Sequence, residues 1–109
     1  MMIKYNIEID KESILSNIKR ITNQIYKLLP NREEGGDWKT PLTTIMEELA
    51  GMNRLLSELE EETYLSLLSK LEGLFVLEKE NDFFLYRRTI FDCLNLMSIL
   101  RKIYQKEGE

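Results

Sequence analysis

The sequence predicts a mainly α-helical protein, a small bundle of about four helices with a short N-terminal β-strand. Three observations carry that reading. Apolar residues recur at three- and four-residue intervals through most of the 109 residues. Helix breakers are scarce, with two prolines and five glycines. Only residues 3–9 alternate with the period of a strand. The length fits one domain, 1–109, with 1–9 as an extended arm and 106–109 as a frayed tail.

In the arm, Ile3, Tyr5, Ile7 and Ile9 fall on one side and Lys4, Asn6 and Glu8 on the other. No second strand follows, and a lone strand cannot satisfy its backbone groups. The arm is therefore expected to pair with a copy of itself or to lie across the helices.

Asp10 can cap the first helix. Its apolar stripe is Ile14, Ile18, Ile21, Ile25 and Leu28, widened by Leu15 and Leu29, and it is expected to stop before Pro30. Thr40-Pro41 reads as a cap followed by proline at the first helical position. The second stripe then runs Leu42, Ile45, Met46, Leu49, Met52, Leu56 and Leu59. Ala50-Gly51 offers a small spot where another helix could come close. Ser57-Glu58-Leu59-Glu60 has the form of a capping box, which leaves a break near 58–62 open. Tyr64, Leu67, Leu68, Leu71, Leu74 and Phe75 carry the third face.

Residues 78–82 are a polar break, and Asp82 can cap the last helix, Phe83 to about Gln105. Phe83, Tyr86, Ile90, Cys93, Met97, Leu100 and Tyr104 form a heptad seam, with Phe84, Phe91, Leu94, Ile99 and Ile103 beside it. A face that wide places this helix at the centre of the bundle or against a second subunit. A homo-oligomer through residues 3–9 and the last helix is the expected assembly.

Composition removes several function classes. The chain has no His, so Cys/His zinc sites, Ser-His-Asp triads and Cys-His dyads are excluded. Cys93 has no partner for an internal disulfide and suits a reducing, cytoplasmic setting. On the apolar seam it reads as a structural thiol. A net charge of −4 weighs against nucleic-acid binding. The N-terminus lacks the apolar run of a signal peptide, and no segment approaches the roughly 20 apolar residues of a membrane span.

Carboxylates alone can hold magnesium, as in all-helical nucleotide pyrophosphatases of the MazG type. Glu58 with Glu61 and Glu34 with Asp37 have the helical spacing, but one pair sits at a helix start and the other in a loop. Solvated helix faces explain them better. No catalytic residue, metal ligand or cofactor is expected.

The segment Pro30–Pro41 is longer than a helix–helix turn needs. It holds the one Trp, and Gly35-Gly36 permits left-handed backbone. Arg32, Trp38, Lys39 and Thr40 are the contact candidates here, with the start of the second helix as an anion site. Arg87 or Arg88 is expected close by, one of the pair in a structural salt bridge and the other facing an anion or partner. The opposing reading has Trp38 closing the end of the bundle and the loop's charges pairing locally.

The run Tyr26–Met52, with LSKLEGL (68–74) and LYRRTIFDC (85–93), resembles small helical proteins encoded by phages and mobile elements of Gram-positive bacteria. That resemblance brings no site residue with it. It implies a non-enzymatic protein that binds a host or defence-system component in the cytoplasm of a bacterial host. The alternatives are an oligomeric binder of a nucleotide or other phosphorylated molecule and, behind it, the pyrophosphatase.

Overall fold

Three long seams of apolar side chains, each on one face of a helix, close on one another to form the core. The computed structural model describes residues 2–77 and 82–107, with side chains for 12–77 and 82–106. Among these are five helices: α1 (Met2–Glu33), α2 (Lys39–Gly51), α3 (Asn53–Leu59), α4 (Glu61–Leu74) and α5 (Phe83–Glu107). The molecule is elongated, 53 × 23 × 18 Å. The length follows α1, since 32 helical residues rise about 48 Å at ~1.5 Å each.

α5 is the centre of the bundle and packs on α1, α4 and α3. Its expected seam is where it makes these contacts, with Tyr86, Ile90, Cys93, Met97 and Leu100 all buried. Ile18, Ile21, Ile25, Leu28 and Leu29 of α1 meet it, as do Tyr64, Leu67, Leu71 and Leu74 of α4. α2 lies against α1 through Leu42, Ile45 and Leu49. Among the described residues no charged side chain belongs to the buried set. The two fully buried tyrosines each donate to a helix carbonyl, Tyr64 to Leu49 at 3.0 Å and Tyr86 to Leu28 at 3.3 Å.

Several expectations are corrected. Residues 3–9 are not a strand, because α1 begins at Met2 and runs through them. Continuing the helix gives each backbone group a local partner, which a strand without a neighbour could not do. α1 also passes Pro30 and ends at Glu33. Proline there removes only the N–H that would reach the carbonyl of Tyr26, an exposed residue one turn earlier, where water can take its place.

The second stripe is two helices rather than one. Met52, at φ −104° and ψ 11°, interrupts it, and its N–H bonds back to the Leu49 carbonyl at 3.0 Å. The small spot at Gly51 is open, with no atom within 4 Å of where a Cβ would stand. A second break comes at Glu60, in extended conformation (φ −161°), with no capping-box side-chain bond. Glu61 and Glu62 then fill the first turn of α4, where the helix dipole favours negative charge. Of the polar break, 78–81 lie outside the described residues.

Candidate functional site

α1 ends in a turn dictated by glycine. Gly35 has φ +75°, its N–H bonds to the Arg32 carbonyl at 3.0 Å, and the Gly36 N–H bonds to the Asn31 carbonyl at 2.8 Å. This pair of bonds is the Schellman arrangement, and a residue with a Cβ would be strained at Gly35. The turn reverses the chain so that Asp37 and Trp38 come back over the end of the bundle.

Asp37, rather than Thr40, caps α2. Its Oδ1 accepts the backbone N–H groups of Lys39 at 3.1 Å and Thr40 at 3.2 Å. The bonds from Thr40, side chain first and then backbone, hold the Asp37 carboxyl below its ordinary value. The first two amides of α2, those of Lys39 and Thr40, are thus occupied by the protein's own carboxylate. α2 begins at Lys39, so Thr40 and Pro41 are its second and third residues.

Trp38 is half-buried against the core and meets Tyr86 edge-on, with ring centres 5.1 Å apart. Phe83 stacks on Tyr86 with ring centres 6.3 Å apart. The Arg32 guanidinium lies among all three rings, 5.3 Å from Trp38, 5.7 Å from Phe83 and 4.4 Å from Tyr86. It also donates to the Leu77 carbonyl at the end of the turn that follows α4. This arrangement ties α1, the loop, α5 and the α4 exit together. Arg32 and Trp38 are brought together as a structural closure, and the half-buried indole is spent on that closure. Lys39 places its ammonium 5.7 Å from the outer side of Trp38.

Neither Arg87 nor Arg88 forms an ion pair with Glu33, Glu34 or Asp37. Both are exposed on the outer side of α5, where they line a shallow groove of about 280 Å³ with Phe84 and Phe91. Phe84 is 77% exposed and Phe91 42%, and the Arg87 guanidinium sits 5.8 Å from the Phe91 ring. Positions 84, 87, 88 and 91 share one face because they are three and four apart. The sequence signal for this patch was the position of Phe84 and Phe91 off the buried heptad seam.

Among the described residues no group of three carboxylate or thiol side chains converges where a metal ion could be held. The Cys93 thiol is fully buried, and burial pushes it up to about 12. Thr40 lines a cleft of about 400 Å³ between α1 and α2, together with Gln24, Lys27, Asn31, Asp37 and Thr44. No helix among the described residues is long and apolar enough to cross a membrane. No known family model, curated protein or solved structure matches the chain.

Proposed function

We propose that this protein is a non-enzymatic interaction module that presents the outer face of α5 to a partner protein. The carrying observation is the patch of Phe84, Arg87, Arg88 and Phe91. Single exposed apolar residues are ordinary on protein surfaces. Two phenylalanines within two helical turns, flanked by two arginines, have the composition of an interface centre. In a chain of net charge −4, the arginines select a partner that offers carboxylates beside an apolar side chain. In the phage or mobile-element setting, that partner is a host or defence-system protein.

The test is affinity capture from bacterial lysate with the wild-type chain, Phe84→Ser/Phe91→Ser and Arg87→Glu/Arg88→Glu. A captured protein that is lost with both double variants supports the reading. Capture unaffected by either would overturn it. Sedimentation of the same variants separates a foreign partner from a second copy of this chain.

A further inference from the structure

The start of α2 does not offer an anion site, but another place on the surface has the chemistry. α1 and α5 run antiparallel, and side chains from both line a groove of about 270 Å³. Lys19, Thr22 and Asn23 come from α1, at spacings that put them on one helical face. Ser98 and Arg101 come from α5, one turn apart, and buried Met97 forms the floor.

Among the described residues no carboxylate lines this groove. Lys19 and Arg101 are both exposed, and neither makes an ion pair or hydrogen bond among the described residues. The chain carries 19 acidic against 15 basic side chains, so two cations sharing a groove without a carboxylate go against its overall balance. Like charges held together repel, and a bound anion removes that cost. The donors are of three kinds: a guanidinium fork, an ammonium point charge, and the neutral amide of Asn23 and hydroxyl of Ser98, since the Thr22 hydroxyl already donates to the Ile18 carbonyl at 2.7 Å. The α1–α2 cleft differs in containing Asp37, and the outer α5 patch in being aromatic.

We propose that this groove binds the phosphate group of a small phosphorylated molecule. Arg101 and Lys19 neutralise its charge, and Asn23 and Ser98 donate to its remaining oxygens. The site is independent of the protein-binding face proposed above and does not rest on it.

The test is a ¹H–¹⁵N NMR titration with inorganic phosphate, pyrophosphate and adenosine monophosphate, against sodium chloride at matched ionic strength. The expected result is saturable change confined to residues 19–23 and 97–101. Lys19→Gln and Arg101→Gln should each weaken binding about tenfold, the loss of one charge-assisted bond. Both side chains are exposed, so the variants should keep the wild-type unfolding midpoint. Tighter binding of the nucleotide than of free phosphate would identify a soluble phosphoester, whereas equal affinity would confine recognition to the phosphate group. Change that never saturates, that sodium chloride reproduces, or that survives both substitutions would overturn the proposal.

Discussion

The Arg32 guanidinium carbon lies 4.4 Å from the centre of the Tyr86 ring, and the Tyr86 hydroxyl donates back into the same helix at Leu28. The last turns of α1 and the first turns of α5 are therefore held twice, by a cation on a ring and by a hydrogen bond. Trp38 covers the arrangement from the loop side.

Arg32→Ala should destabilise the fold by about 1–2 kcal/mol, since a partly desolvated cation among rings contributes on that order and the side chain's stem is lost as well. Arg32→Lys should recover only part of this, because an ammonium lacks the planar stack. Urea denaturation gives the energies. Tryptophan fluorescence should shift to the red in Arg32→Ala if Trp38 loosens with it.

Gly35→Ala and Gly73→Ala should have opposite signs. Gly35 holds φ +75°, so a Cβ there should cost about 1 kcal/mol. Gly73 is in the last turn of α4 with open space around it, and alanine should stabilise by roughly 0.5 kcal/mol through helix propensity. Thermal melts of the two variants check the contrast. Equal effects would show that the α1 turn does not require left-handed backbone.

The Asp37 cap should weaken in acid. Its folded carboxyl titrates below the unfolded value of about 3.9, so its stabilising contribution is complete above about pH 4 and is lost as pH falls through the folded value. Asp37→Asn should keep the amide protection of Lys39 and Thr40 and remove its dependence on pH. Hydrogen exchange at those two amides between about pH 2 and 5 reads this directly.

At the alkaline end three buried acids act in the same direction, Cys93, Tyr86 and Tyr64, whose hydroxyl is also pushed up by burial. Burial pushes Tyr86 and Cys93 each up to about 12, opposed by nearby Arg32 at Tyr86 and by Lys70 at Cys93, where Asp92 adds to the rise. In the unfolded chain they ionise near 10 and 8.5, so stability is intact below about pH 8.5 and falls as pH rises towards 12. Cys93→Ala should remove the lower part of that decline. Tyr86→Phe should remove a share of the upper part and leave the share of Tyr64, at a cost of about 1 kcal/mol at neutral pH for the lost bond to Leu28. Denaturant titrations across this range separate the two.

Much of the fold was legible because burial follows helical period. The seams through Ile18–Leu28, Tyr64–Leu74 and Tyr86–Leu100 are the buried faces. Residues 3–9 misled because Ile3 and Ile7, or Tyr5 and Ile9, are two apart twice over and so also four apart, which a helix accepts equally. The missing second strand was the decisive fact. Pro30 misled because a proline in a last turn removes a bond that solvent replaces. Asp37 stands three residues before Thr40, itself a capping spacing, yet the Thr-Pro pair placed the helix start two residues too late. The Arg32 enclosure was not legible, since it joins rings about fifty residues away along the chain through the packing of α5 on α1. For the same reason the outward turn of Phe84 became visible only once the buried side of α5 was fixed.

The sealed sulfur of Cys93 gives this molecule a clock. A thiol reagent cannot reach it while the α5 seam is closed, so each modification event counts one opening of the bundle. Where reclosing outpaces the reagent, the labelling rate divided by that of a free thiol is the open fraction itself. Anything that settles on the closed form, whether a protein on the outer face of α5 or an anion between α1 and α5, slows that clock by mass action. A single sulfur can thus rank candidate binders before any of them is identified.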